Sequence, residues 1–264
     1  MTRLMDKLSI WQQNMNKSPI CQHDLMSNNT LVRKGINCIT LQEPALSGVG
    51  LTIASRDWTP VYPSDHSNNP LKMGSILFIR ADMITENWNQ LDFPSSDVTV
   101  VQLTGQWGKI TIFNIYNDGE CDETIKLLSA FHRRNQAALE RAEVGEAHII
   151  WLGDFDRHHP YWDNPEDSRL FMNEATEAAE KLIEAIADAG LDLALPRGIP
   201  THEHSITKCW SRLDQVFLSE HSNDLLTSCD TQLEARGINT DHLPILTELS
   251  LNMAVTDLSM LPNF

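Results

Sequence analysis

Short apolar runs recur along this 264-residue chain, separated by polar turns that contain Gly, Pro, Asn and Asp. Their Val, Ile, Thr and aromatic content favours strands over helices of equal length. The pattern predicts strands over residues 8–14, 36–41, 75–79, 98–103, 109–116, 147–155, 212–218 and 244–251. The nearly continuous apolar run His148-Ile149-Ile150-Trp151-Leu152 predicts a central strand covered on both faces. Two stretches carry a clear helical period. Asp122 caps one that runs to about Arg141, with Ile125, Leu128, Phe131 and Ala138 on one stripe. The other starts near Asn164-Pro165, where Pro suits the first helical position, and ends at Gly190. Its buried face is expected to carry Phe171, Ala175, Ala178, Leu182 and Ile186. No Pro/Gly/Ser linker divides the chain, which predicts one domain over residues 1–252 and a tail over 253–264.

Composition narrows the class. Hydrophobic residues at 41% and charged residues at 21% support a folded core rather than disorder. Lys and Arg number 20 against 36 Asp and Glu, a net charge of -16 that counts against bulk electrostatic attachment to DNA or anionic lipid. A local basic groove or a metal-bearing acidic cleft remains compatible with it. Between residues 165 and 193, eight acidic residues face two basic ones, so this helix is expected to turn a solvated face away from any DNA. Five scattered cysteines without a CxxC pair argue against a disulfide scaffold or a zinc ribbon and fit a reducing compartment. Residues 1–11 carry Arg3, Asp6 and Lys7 and lack a signal peptide's apolar segment. No run approaches the ~20 apolar residues of a membrane span. These features predict a soluble intracellular protein, nuclear or cytoplasmic, with no membrane partner.

The chemistry is concentrated at strand ends. Gln12-Gln13-Asn14, Leu41-Gln42-Glu43-Pro44, Asn114-Ile115-Tyr116-Asn117-Asp118, Gly153-Asp154-Phe155-Asp156, Ser211-Arg212-Leu213-Asp214 and Thr240-Asp241-His242 each hold polar residues that strand packing does not require. Strand C-termini gathered at one end of a sheet can form a site. Taken singly, each group has a bland reading. A Glu at a strand end is commonplace, an Asp after Gly caps a turn, a lone His is a surface or core side chain, and a Tyr packs with its hydroxyl in water.

The ordered set resembles the endonuclease/exonuclease/phosphatase superfamily, over about Leu8 to Leu249. It is most similar to the endonuclease domain of non-LTR, LINE-type retrotransposons, especially fungal ones. The strings Gln13-Asn14-Met15-Asn16-Lys17-Ser18, Gly153-Asp154-Phe155-Asp156-Arg157-His158-His159-Pro160-Tyr161-Trp162-Asp163 and Gly198-Ile199-Pro200-Thr201 look like that branch. The resemblance implies an α/β fold: a four-layer sandwich of two mixed sheets face to face with helices outside. It implies a DNA-nicking phosphodiesterase using Mg²⁺, for which Mn²⁺ can substitute. It puts Glu43 as the principal metal ligand with Asn14 beside it and Asp241 on the metal side. Asp154 would activate or orient the attacking water. His242, oriented by Asp214, would meet the scissile phosphate, and Tyr116 would donate to a phosphate oxygen. DNA is the expected partner, weakly held by an acidic surface. Asn117, Arg157, His158 and Arg212 are the candidate substrate contacts, Arg212 being equally suited to a structural ion pair. Trp162 either stacks on a base or buries against the following helix, and Asn16 and Lys17 can approach the metal and a phosphate.

Asp156 departs from the pattern, since the superfamily usually has Asn there as a donor to the transition-state phosphoryl oxygen. An ionised Asp only accepts. Loss of one such donor costs about 10²–10³ in rate, unless Asp156 binds a second cation or stays protonated. Two alternatives therefore stand: a phosphoesterase acting on a small phosphorylated molecule or lipid headgroup, and a decayed, domesticated element product without catalysis.

Overall fold

The computed structural model describes residues 5–27, 29–53 and 55–251; the expected tail over 253–264 lies outside the described residues. In chain order the elements are β1 (Lys7–Asn14), α1 (Pro19–Ser27), α2 (Thr30–Arg33), β2 (Cys38–Gln42), β3 (Trp58–Val61), β4 (Ser75–Arg80), β5 (Trp88–Leu91), β6 (Val98–Gly105), β7 (Gly108–Tyr116), α3 (Glu123–Leu139), β8 (Glu146–Asp154), α4 (Asn173–Asp188), β9 (Leu191–Leu193), β10 (His202–Glu203), β11 (Trp210–Ser211), β12 (Asp214–Ser219), β13 (Leu226–Thr231) and β14 (Ile245–Ser250). Two six-stranded mixed sheets result, one ordered β13-β14-β1-β2-β4-β3 and the other β5-β6-β7-β8-β12-β9. Each has one parallel pair near its centre, β1 with β2 and β7 with β8, and antiparallel neighbours elsewhere.

Three apolar layers hold these sheets. Leu8, Ile10, Leu77, Val101, Ile112, Leu152 and Val216 pack between them. Trp11, Cys21, Met26, Leu31 and Phe78 join α1 and α2 to the outer face of the first sheet. Phe113, Leu128, Trp151, Leu182 and Phe217 join α3 and α4 to the outer face of the second. The four-layer sandwich implied by the family resemblance is therefore the fold, and period-two alternation sets which residue faces which layer.

Along the inner faces the side chains change from apolar to polar in one direction. On β1 the inward positions run Leu8, Ile10, Gln12, Asn14; on β7, Ile110, Ile112, Asn114, Tyr116; on β8, Ile150, Leu152, Asp154. Gln42 and Asn114 hydrogen-bond across the two sheets, and Asn114 Nδ2 also donates to the carbonyls of Leu41 and Ile76. Ser75 and Thr99 meet 2.9 Å apart in the same polar layer. One end of the sandwich is thus dry and the other is built for polar chemistry.

Several expectations change. The second long helix begins at Asn173, not near Asn164-Pro165. Asn164 Oδ1 accepts the Glu166 amide and a 3₁₀ turn occupies Ser168–Leu170, which spends the intervening residues on turns. Phe171 lies before the helix, half-buried, and the buried face is Ala179, Leu182, Ala185 and Ile186. Asp122 precedes α3 without a side-chain capping bond, because its carboxylate pairs with Arg157 and Lys181 instead. Trp162 is fully buried, donates Nε1–H to the Arg157 carbonyl at 3.0 Å and packs edge-on to Phe217, so it offers no ring to a base.

Arg212 is 1% exposed. Its guanidinium donates to Gln215 Oε1 and to the carbonyls of Trp162, Pro196 and Leu195 at 2.6–3.2 Å. It pins the loop before β10 to β12, with four of its five N–H donors engaged and the side chain buried away from the cleft. Arg212→Met leaves these acceptors buried and unpaired, and is expected to cost about 3 kcal/mol or more in urea unfolding. A loss under about 1 kcal/mol would contradict this structural role.

Candidate active site

Parallel neighbours deliver two C-terminal strand ends side by side. In the first sheet β1 ends at Asn14 and β2 leads into Glu43; in the second β7 ends at Tyr116 and β8 at Asp154. An antiparallel strand beside each pair delivers an N-terminal end to the same edge. Asp214 opens β12 directly opposite Asp154, and His242 lies three residues ahead of β14, which pairs with β1. The expectation that all these motifs sit at strand C-termini is corrected here: Asp214 and His242 arrive by the opposite chain direction.

Stacking the sheets joins the two sets. Asn14 Nδ2 donates to Asp154 Oδ2 at 2.7 Å and lies 3.4 Å from Glu43 Oε2. His242 Nδ1 and Asp214 Oδ2 are 2.8 Å apart, and His242 Nε2 is 4.0 Å from Asp154 Oδ2. Asn16 donates to Asp241 Oδ1 at 3.1 Å, and Lys17 Nζ stands 3.2 Å from Glu43 Oε1. Thr240 Oγ1 donates to the Asn14 carbonyl, fixing the loop that carries Asp241 and His242 against β1.

The backbone is specialised too. Asn16, Lys17, Glu43 and Asp156 have φ of 45°, 53°, 45° and 46°. Each such L-residue costs about 1–2 kcal/mol, and strain of this kind gathers where function requires it. Main-chain bonds from Lys17 N to Glu43 O and from Glu43 N to Gly74 O hold the two turns against relaxation. Gly153 has φ 145°, and a Cβ there would stand 1.8 Å from the Ile115 carbonyl oxygen. The Gly before Asp154 is required by this close approach of β8 to β7.

Electrostatics separate the titrating groups. Burial, then the charge of Asp214, raises the Asp154 carboxyl to about 7, with Asp156 adding to the rise while His242 and the Asn14 amide oppose it. Burial alone would depress His242, but Asp214, by charge and by hydrogen bond, together with Asp154 and Asp241, lifts it to about 9. Asp241 is held down at about 2, first by His202 beside it and also by His242, against the effect of burial. Burial and the charges of Glu43, Asp154 and Asp118 raise Tyr116, which stays protonated and within hydrogen-bonding reach of Glu43. Asp214 Oδ1 is buried with no hydrogen-bond partner among the described residues. Asp154, Asp214 and His242 offer ligand atoms within 4.8 Å of one another. This surplus of hard oxygen donors, one of them orphaned, fits a divalent cation.

Asn14, Glu43, Tyr116, Asp154, Asp214, Asp241 and His242 therefore converge. Asp156 is exposed at the rim, its amide bonded to Asp154 Oδ1 and its carboxylate leaning over Gly119. Asn117 is buried behind the site, where Nδ2 donates to the Phe155 carbonyl. Arg157 points inward, with donors on Gly119, Cys121, Ala178 and Asp122, so its guanidinium joins loop to helix rather than lining the cleft. His158 pairs with Asp163 at 3.4 Å. Sequence reasoning missed His202, whose Nε2 is 3.6 Å from Asp241 Oδ2. It adjoins Thr201 in a string that already looked family-like, but no local pattern distinguishes it from the other histidines.

The fold is that of nucleases of the deoxyribonuclease I type. It matches the endonuclease domain of TRAS1, a telomere-specific non-LTR retrotransposon, at 16% identity, TM-score 0.69, over 94% of this chain and 100% of that one. An AP endonuclease from Leishmania major matches at 12% identity, TM-score 0.70, over 93% and 88%. A 3′ phosphatase from Neisseria, solved bound to product DNA hairpin, matches at 17% identity, TM-score 0.65, over 92% and 99%. No curated protein sequence matches the chain significantly. Residues 110–246 match the endonuclease-reverse transcriptase family, and the chain belongs to that family, within the endonuclease/exonuclease/phosphatase superfamily.

In the metal-free protein, NMR titration of the His242 imidazole is expected to show it protonated through neutral pH and deprotonating near 9. Asp214→Asn removes the main group that raises it and leaves burial, so the midpoint falls by at least about one unit. An unshifted midpoint in that variant would contradict the assigned cause.

Proposed function

We propose that this chain is a divalent-metal-dependent phosphodiesterase that nicks DNA by attack of water on a backbone phosphate. The convergence of Asn14, Glu43, Asp154 and His242 from remote segments into one hydrogen-bonded, oxygen-rich pocket carries this reading. Membership of the endonuclease-reverse transcriptase family supports phosphodiester chemistry. DNA as substrate gains support from the fold shared with the TRAS1 domain and with the Neisseria enzyme bound to a DNA hairpin.

Glu43, with Asn14 and Asp241, would hold the cation, and a hard dication there offsets phosphate charge. Mg²⁺ suits these oxygens, and Mn²⁺ tolerates the same set. Asp154 accepts the proton of the attacking water, which requires a carboxylate ionised near neutral pH and fixed in place; the Asn14 amide fixes it. His242, clamped by Asp214, presents a charged Nε2–H to a phosphate oxygen. Tyr116 supplies a neutral O–H donor on the facing side. Asp156 brings a carboxylate to the rim where an amide donor would serve the transition state better, so the wild-type rate is held down.

Supercoiled-plasmid nicking with Mg²⁺ or Mn²⁺ is expected, with EDTA abolishing it. Asp154→Ala and His242→Ala should each lower the rate at least about 10²-fold; equal nicking by both variants and wild type would remove the enzyme assignment. Asp156→Asn restores a donor and lowers local repulsion, and should raise kcat, by up to about 10²-fold. An unchanged or lower rate in that variant would refute its assigned effect. Added salt should weaken cleavage in proportion to the phosphates contacted; a rate indifferent to salt would favour a small phosphorylated substrate instead.

A further inference from the structure

His202 opens β10, forms an isolated bridge to His242, and stacks its ring obliquely on that of His242 with centroids 4.8 Å apart. The proposed phosphodiester chemistry gives it no part. Each ring has Nδ1 beside an oxygen: His202 Nδ1 is 3.2 Å from Ser211 Oγ, and His242 Nδ1 is 2.8 Å from Asp214 Oδ2. Outer oxygens placed this way orient imidazoles for metal ligation through Nε2. Both Nε2 atoms approach one carboxylate, His202 at 3.6 Å from Asp241 Oδ2 and His242 at 3.9 Å from Asp241 Oδ1. The three ligand atoms lie within 4.8 Å of one another. Around a tetrahedral ion with bonds of ~2.0–2.1 Å, ligand atoms stand roughly 3.4 Å apart, so small side-chain rotations close the site. His202 and Asp241 side chains are 14% and 21% exposed, which gives an ion and its remaining water a path in.

Two imidazoles and a carboxylate form a donor set for Zn²⁺ and similar borderline ions, whereas Mg²⁺ prefers oxygen throughout. We propose that His202, Asp241 and His242 form a zinc-class site that shares Asp241 with the Glu43 corner, and that filling it inhibits cleavage. Binding replaces the Nε2 proton of His242 with the ion and releases that proton to solvent. That proton is the donor aimed at the phosphate, and Asp241 is drawn from the hard-cation corner at the same time. The inhibition rests on the phosphodiesterase reading; the binding does not.

Co²⁺ serves as a visible probe. Cys121 is exposed and Cys209 half-exposed, so the measurement uses a Cys121→Ser, Cys209→Ser background in which thiolates do not compete. One equivalent of Co²⁺ is expected, with visible d–d bands, no thiolate charge-transfer band, and displacement by Zn²⁺. His202→Gln and Asp241→Asn should each weaken binding at least about tenfold, since even an outer-shell partner of a ligand is worth about 10–100-fold, while Glu43→Gln keeps it within about twofold. The unfolding temperature of each variant separates a lost ligand from a lost fold. Unchanged affinity in His202→Gln, or loss in Glu43→Gln alone, would overturn the site. In Mg²⁺-driven nicking, Zn²⁺ should inhibit, and His202→Gln should raise the inhibiting concentration about tenfold. Zinc that binds without slowing cleavage would overturn the inhibitory role. A chain inactive with Mg²⁺ would defeat the phosphodiesterase reading, and the absorbance titration would still decide the site.

Discussion

Two carboxylates placed opposite each other across a strand pair, and both buried, set the terms for everything around them. Asp154 and Asp214 are register partners in the β8–β12 ladder, and each is under 5% exposed. Like charges so placed repel strongly where water is scarce. The compensation comes from the other sheet: the Asn14 amide on Asp154 and the His242 imidazole on Asp214. The sandwich and the site therefore depend on each other. Without β1 and the loop before β14 stacked over β8 and β12, the two acids would have to be protonated or exposed.

The same economy explains the direction of the polar gradient. Leu, Ile and Val interlock the sheets at one end, while Gln42, Asn114, Ser75 and Thr99 form hydrogen-bonded ties just beneath the cluster. These ties hold the strand ends at fixed spacing where apolar packing has stopped. Above them the chain adopts positive φ at Asn16, Lys17, Glu43 and Asp156. Strain at the rim is tolerable because the layer below it is rigid. Local stability is thus exchanged for pre-set positions of charged side chains, which is the arrangement that phosphoryl chemistry needs.

Much of this was legible in the sequence because the signals were strong and local. Alternating runs located the inner strands, and the six polar motifs named the residues that meet. The edge strands β3, β5, β9 and β13 escaped because two or more exposed or half-buried positions in such short segments blur any period, as in Trp88-Asn89-Gln90-Leu91. The helix α1 escaped because its sequence, PICQHDLMS, has little amphipathic contrast. Arg157 and Arg212 looked like substrate contacts by charge alone. Only the fold reveals that backbone carbonyls have already claimed their donors. His202 was hidden for the converse reason: its partner Asp241 is 39 residues away in sequence, and a tertiary bridge brings them together.

A divalent cation held at the Glu43 corner, as proposed, would offset the surplus of buried and half-buried carboxylates. Thermal unfolding with and without Mg²⁺ measures that directly, because a ligand bound only by the folded chain raises its stability. At a hundredfold excess over Kd a rise of about 5 °C or more in Tm is expected, abolished in Glu43→Gln. A Tm indifferent to Mg²⁺, or one that rises equally in Glu43→Gln, would contradict it.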